Sequence, residues 1–219
     1  AYTKKELEAI AECALRNGLL VVSDEIYEKI VFDEFEQSSI CSLGKEVQDN
    51  CVLINGVSKS YAMTGWRIGY LAANAEIIKQ TVKLQGQSTS NPTSVSQVAS
   101  IAALNKGEAD VQRMVIEFQK RRNTLVDSLL SIPGVECYKP VGSFYTFPDF
   151  SAFYGKTFKG KKMEGSIQLA EFLLAEGKVA MVPGIAFGAD KNLRMAFASS
   201  MDTIKQGVDR IIKTLALLE

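Results

Sequence analysis

Three short apolar runs limit the fold of this chain more than any other feature. Residues 19–22, 51–54 and 68–73 contain only apolar residues, glycine and one tyrosine, with no charge among them. A strand solvated on one face alternates apolar and polar side chains, so an unbroken run reads as a strand covered on both faces. Helical patterns lie between the runs. Thr3 and Glu6 form a T-x-x-E capping box ahead of an apolar face made by Leu7, Ile10, Ala11, Ala14 and Leu15, and Gly18 can close that helix. Two further helices are predicted over 75–85 and 94–104. Helices interleaved with covered strands predict an α/β fold on a mostly parallel sheet.

Downstream the pattern changes. Val111, Met114, Val115, Phe118, Leu125, Val126, Leu129 and Leu130 recur at helical spacing with Arg and Gln opposite, which predicts one long amphipathic helix over 110–130, ended by Ile132-Pro133-Gly134. Strands are predicted at 135–138, 144–147, 179–182 and 193–198 around a helix at 166–175. A closing helix from Asp202 sets Ile204, Val208, Ile211, Ile212 and Leu215 on one face. The expected organisation is the α/β layer over residues 1–107 and a smaller C-terminal α+β domain over 108–219, which starts with the long helix.

Composition narrows the chemistry rather than the fold. The 219 residues include no histidine, which removes Ser-His and Cys-His dyads, His-ligated zinc and the common proton carrier near neutral pH. Acid–base work then falls to Lys, Tyr, Cys or carboxylates. Lys plus Arg and Asp plus Glu number 25 each, so no net field draws the chain to nucleic acid or an anionic membrane. No apolar run reaches the roughly 20 residues that a membrane-spanning helix needs. Cys13, Cys41, Cys51 and Cys137 show no C-x-x-C spacing, which argues against a thiolate metal site or a disulfide framework and points to a reducing cytoplasm. The first residue is Ala rather than Met and the chain opens directly into a helix cap, so a longer parent protein is expected.

Asp24 stands just after the first run, with Tyr27 three residues on. In open α/β sheets, ligands bind beyond the carboxyl ends of strands. A lone Asp at such a place is more often a helix cap or a surface carboxylate. Asp24 is not alone, because Lys59 follows the second run through Asn55-Gly56-Val57-Ser58, and Gly65-Trp66-Arg67 leads into the third. Three strand ends thus deliver an acid, an amine and a guanidinium to one rim. A lysine partly desolvated near other cations has a lowered pKa and can form a Schiff base with a carbonyl.

The whole segment Asn55-Gly-Val-Ser-Lys59-Ser-Tyr-Ala-Met-Thr-Gly-Trp-Arg67-Ile-Gly69 closely resembles the Schiff-base lysine signature of class I pyridoxal-phosphate aminotransferases of fold type I, particularly the bacterial aspartate and aromatic branch. Tyr2-Thr-Lys-Lys-Glu-Leu-Glu is similar to the helix after that family's N-P-x-G turn, and Ser23-Asp24-Glu25-Ile26-Tyr27 to its pyridine-binding strand end. Gly142-Ser-Phe-Tyr145 and Pro183-Gly-Ile-Ala-Phe-Gly188 are similar to its small-domain turns, and Leu193-Arg194-Met-Ala-Phe197 to its substrate-carboxylate strand.

The resemblance implies an aminotransferase that moves an amino group between an L-amino acid and a 2-oxo acid, with pyridoxal 5'-phosphate as cofactor and no metal, acting as a cytoplasmic homodimer. By the same resemblance Lys59 is the cofactor-bound amine and proton shuttle, Asp24 keeps the pyridine nitrogen protonated, and Tyr27 hydrogen-bonds the phenolic oxygen. Arg67 and Ser58 bind the phosphate, and Arg194 grips the substrate α-carboxylate. Trp66 and Tyr61 are expected to pack beside the lysine loop. Asn91-Pro92-Thr93 resembles the segment that approaches the partner subunit. The family's N-terminal part, with its phosphate cradle, stacking aromatic ring and N-P-x-G turn, is expected to be missing. Two alternatives stay open: a carbon–sulfur lyase on the same scaffold, and a fragment without cofactor chemistry. Gly155-Lys156-Thr157 is not a P-loop ending, since Phe150 stands where that motif needs Gly, and the basic run 155–162 reads as a solvated loop rather than a nucleic-acid patch.

Overall fold

Thr3 Oγ1 accepts the Glu6 amide at 3.3 Å and the Glu6 carboxylate accepts the Thr3 amide at 2.7 Å, so α1 (Lys4–Arg16) begins with two otherwise unpaired donors satisfied. It ends in a Schellman turn. Gly18, at φ +62°, donates to Leu15 O while Leu19 donates to Ala14 O, a left-handed reversal that glycine adopts without strain. The computed structural model describes all 219 residues. They divide into two units, Ala1–Val115 with Val141–Ser143, and Ile116–Pro140 with Phe144–Glu219.

The first unit continues with β1 (Val21–Asp24), α2 (Lys45–Asp49), β2 (Cys51–Gly56), β3 (Gly69–Ala72), α3 (Ala75–Ser88), α4 (Ser94–Lys106) and the first turns of α5 (Glu108–Leu130). Its sheet runs β1-β2-β3. β1 pairs with β2 in parallel, Asp24 opposite Ile54, whereas β3 is antiparallel to β2, Gly69 opposite Gly56. The architecture is α/β, with a mixed sheet where a mostly parallel one is expected. Ala11 of α1, Ile40, Val47 and Cys51 form a core cluster, joined by Leu7, Leu15 and Val21.

The first apolar run is not covered on both faces. Val22 is 61% exposed because β1 is packed on one face only, Leu19 and Leu20 ahead of the strand are 55% and 52% exposed, and β3 of the third run is likewise exposed at Gly69, Tyr70 and Ala72. The cysteine expectation also needs correction. Cys41 and Cys51 are disulfide-bonded: a 3₁₀ turn, Ile40–Ser42, sets Cys41 beside the first residue of β2 with the Cα atoms 5.8 Å apart. Cys13 and Cys137 are free.

The division between units falls inside α5, whereas the change of sequence pattern lies at its start. Beyond α5 the second unit contains β4 (Tyr145–Thr146), β5 (Thr157–Phe158), β6 (Lys161–Lys162), α6 (Ser166–Gly177), β7 (Val182–Pro183), β8 (Leu193–Ala196) and α7 (Met201–Leu215). β8 is the middle strand of an antiparallel sheet ordered β4-β8-β7. Leu125, Val126, Leu129, Leu169, Leu173, Leu193, Phe197, Ile211 and Leu215 are buried here, while Leu130 and Ile212, placed by spacing on the same apolar faces, are about half exposed.

Three expectations fail in this unit. Residues 135–138 form no strand, only a single bridge from Glu136 to Asp149. The basic run holds a β5–β6 hairpin, turned by Lys159 and Gly160 with φ of +49° and +78°. Arg122 is not on the solvated face of α5 but fully buried: it lies four residues after Phe118 and three before Leu125, so it shares their face. There it donates to Pro140 O at 2.9 Å and to Asn123 Oδ1 at 2.8 Å. No helix of the chain is long and apolar enough to cross a membrane.

Candidate active site

Strand direction decides what gathers at one end of the first sheet. β1 and β2 are parallel, so their carboxyl ends, Asp24 and Gly56, lie at the same edge. Because β3 runs the other way, its amino end, reached through Arg67, lies there too. The segments that carry Asp24, Lys59 and Arg67 therefore converge on one rim through an antiparallel third strand.

Asp24 is exposed, and one of its carboxylate oxygens accepts the Ile26 amide at 3.2 Å in an Asx turn, leaving the other without a donor from the chain. The neighbouring acid is differently placed. Glu25 donates its amide to Ile54 O, and its carboxylate accepts the hydroxyls of Ser23 at 3.0 Å and Ser39 at 2.8 Å, which makes it a brace between β1 and the loop beyond.

Lys59 is held by its surroundings. Val57 is fully buried and Ser60 is 2% exposed, so the chain is anchored on both sides of a half-buried lysine. Upstream, the buried Asn55 side chain accepts the Gly56 amide at 2.7 Å. The Lys59 ammonium lies 6.0 Å from the centroid of the half-buried Tyr27 ring, within range of a cation–π attraction. Tyr27 and Asp24 line the same cavity. Ser58 is half-buried beside the lysine.

Ala62 and Arg67 both take left-handed backbone conformations, at φ +53° and +56°, which residues with side chains seldom adopt. Such strain persists only where neighbouring structure holds it, and it concentrates in functional segments. Arg67 is exposed and donates to Thr64 O at 3.0 Å. Trp66 does not pack as expected, being 44% exposed on the short 3₁₀ turn Thr64–Trp66. Tyr61 is half-buried, with its ring against Gly107 at the start of α5.

Arg194 belongs to the second unit. It is half-buried on β8, the central strand of its sheet. Its guanidinium carbon lies 4.6 Å from the Tyr145 ring centroid and 4.7 Å from that of Phe187. Sequence reasoning missed this aromatic flank, although both residues stand in the small-domain turns quoted above. It also missed the Lys29–Glu108 ion pair at 2.7 Å in the first unit, which raises the Lys29 pKa and lowers that of Glu108. Its partners lie too far apart in sequence for any spacing rule.

A profile of the family described as aminotransferase class I and II matches residues 1–211. The chain is 45% identical over 213 residues to the aspartate aminotransferase of Geobacillus stearothermophilus, covering 96% of this chain and 52% of that protein. It is 42% identical over 216 residues to a probable aspartate/prephenate aminotransferase of Aquifex aeolicus, covering 98% and 53%. Among solved structures, the aspartate aminotransferase from Rhizobium meliloti superposes with a TM-score of 0.96 at 36% identity, over 100% of this chain and 55% of that one. The aromatic aminotransferase from Pyrococcus horikoshii does so with 0.89 at 34% identity, over 99% and 56%. The chain thus spans about half the length of the relatives it matches.

Proposed function

This chain belongs to the class I and II aminotransferase family, and from that membership we propose that it carries the lysine-bearing part of a pyridoxal-phosphate enzyme moving an amino group between an L-amino acid and a 2-oxo acid. The observation that supports the reading best is the convergence of the Asp24, Lys59 and Arg67 segments on one rim, with Tyr27 against the lysine. The set suits the cofactor group by group: a carboxylate with an unpaired oxygen for a ring nitrogen, a phenol for a ring hydroxyl, an amine for an aldehyde, a guanidinium and the Ser58 hydroxyl for a phosphate.

When bound, the cofactor supplies an electron sink for the pair left by the departing α-proton. Lys59 supplies the amine that fastens it and then takes and returns the proton at the substrate Cα. Asp24 holds a proton on the ring nitrogen through an ion pair, and Arg194 receives the substrate carboxylate in a forked pair of N–H bonds. Family membership is also the support for two further parts of the proposal, assembly as a homodimer and a cytoplasmic location. The test is borohydride reduction of the protein incubated with pyridoxal phosphate, followed by peptide mapping. A pyridoxyl group on Lys59 is expected. Labelling of other lysines with Lys59 unmodified overturns the assignment.

A further inference from the structure

Arg194 has its two sides and its edge in opposite situations. Tyr145 comes from β4, which neighbours β8 on one side, and Phe187 comes from the turn after β7, which neighbours it on the other. Both ring centroids lie within 5 Å of the guanidinium carbon, close enough for attraction between the cation and the ring faces. The guanidinium N–H groups, by contrast, have no acceptor in the chain: the Arg194 side chain makes no hydrogen bond and no ion pair. A guanidinium carries five donors, and those of this half-buried side chain are open to an acceptor from outside the chain.

Phe187 is placed with care for a residue that stays 49% exposed. The turn that presents it is clamped at Gly184, whose amide donates to Asn192 O at 2.8 Å. A Cβ on Gly184 would stand 2.2 Å from Ala189 O and 2.3 Å from Asn192 O, so only glycine fits this close approach of the turn to the backbone at 189 and 192. The Phe187 ring also meets Phe147 edge to face at 5.8 Å. The aromatic contacts thus hold the cation, while its donors are left for something outside the chain.

We propose that Tyr145 and Phe187 are positioning residues. Their rings fix the Arg194 guanidinium so that its unpaired N–H fork meets the α-carboxylate of the amino acid or 2-oxo acid. The inference rests on the carboxylate role given to Arg194 above, and extends it to two residues that touch the arginine rather than the reacting atoms.

The experiment is ¹⁵N-resolved NMR of the arginine Nε–H groups of the whole 219-residue chain, with propionate as the probe and Arg194→Lys to identify the resonance. Ring currents should displace the Arg194 proton from the position of exposed arginines, and propionate should shift it further. Phe187→Leu should return it toward the exposed position and weaken the propionate titration about fivefold. This side chain is half exposed, so its loss leaves no core cavity, and the buried Arg122 resonance in the same unit should stay unmoved as the measure of an intact fold. Tyr145→Leu should act like Phe187→Leu, whereas Tyr145→Phe, which keeps the ring, should behave as the parent. Leucine variants that titrate like the parent overturn the proposal. An Arg194 resonance that ignores propionate in the parent also overturns it, yet leaves the Lys59 labelling result standing, so the two readings fail separately.

Discussion

Replacing Gly56 by alanine adds one methyl group where β3 crosses the end of β2. The new carbon would lie 2.8 Å from Ile68 O, 3.1 Å from Gly69 Cα and 3.3 Å from Ile26 Cδ1, all inside the 3.4 Å at which ordinary contact begins. The isoleucine tip can rotate away, but the other two obstacles are backbone. The strands must part, which loosens the Gly56–Gly69 pairing, and overpacking of this kind costs about 1–3 kcal/mol. Gly65→Ala is the control. A methyl group there meets nothing within 4 Å and needs no left-handed backbone, so the smaller entropy of the unfolded chain should stabilise it by about 0.4–1 kcal/mol. The assay is urea unfolding followed by the fluorescence of Trp66, the chain's one tryptophan, which sits in the same unit as both glycines. The midpoint should fall for Gly56→Ala and rise for Gly65→Ala. Labelling of Lys59 should slow only in Gly56→Ala, because moving β3 also moves Arg67. If Gly56→Ala is as stable as Gly65→Ala, the crossing is not tight and the account of how the rim is built is refuted.

Arg122→Met should destabilise the second unit by about 3 kcal/mol, since Pro140 O and Asn123 Oδ1 lose a buried donor; thermal unfolding that changes by under about 1 kcal/mol would contradict this. Asp24→Asn keeps an oxygen for the Ile26 amide but loses the charge, so stability should hold while the amino-acid half-reaction slows about 10²–10³-fold, and a near-normal single-turnover rate would remove Asp24 from the mechanism. The Thr3 amide, then its hydroxyl, hold the Glu6 carboxyl below its ordinary 4.5, so the carboxylate's part in this cap is present above 4.5 and lost as pH falls through the lowered value. Thr3→Ala should weaken α1 by about 1 kcal/mol at neutral pH and move the Glu6 NMR midpoint toward 4.5; an unmoved midpoint would show that the hydroxyl plays no part. Burial pushes the Cys137 thiol from 9.0 up to about 11, so the stability it contributes is complete below 9 and lost as pH rises through about 11. Iodoacetamide at about pH 8 should therefore modify the exposed Cys13 well before Cys137, and equal rates would mean that Cys137 is not held in its thiol form.

Much of the local structure was legible because it depends on residues a few positions apart. The Thr3–Glu6 box, the Gly18 reversal, the helices after Asn74 and Thr93 and the long helix all use hydrogen bonds or side-chain spacing within one or two turns. The run at 19–22 shows where this stops. Its composition records compatibility with burial on both faces, but whether anything covers the second face depends on distant elements, and Val22 stands 61% exposed. The disulfide was hidden for the same reason, since the approach of Cys41 to Cys51 is set by a turn packed on β2 rather than by their spacing.

The candidate site divides along the same line. Sequence alone placed Asp24, Lys59 and Arg67 beside three strand runs, and the resemblance of the lysine segment attached a chemistry to them. That these segments share one rim was decided by tertiary pairing: with β1 and β2 parallel, only an antiparallel β3 brings the end bearing Arg67 to the same edge. Arg122 makes the point from the interior. Its position in the sequence determines only that it faces the way Phe118 and Leu125 face. That this direction leads inward, and that the Pro140 carbonyl stands there to accept its hydrogen bond, is settled by chain segments far from it in sequence, because a buried charge is tolerated only where the fold supplies its partners.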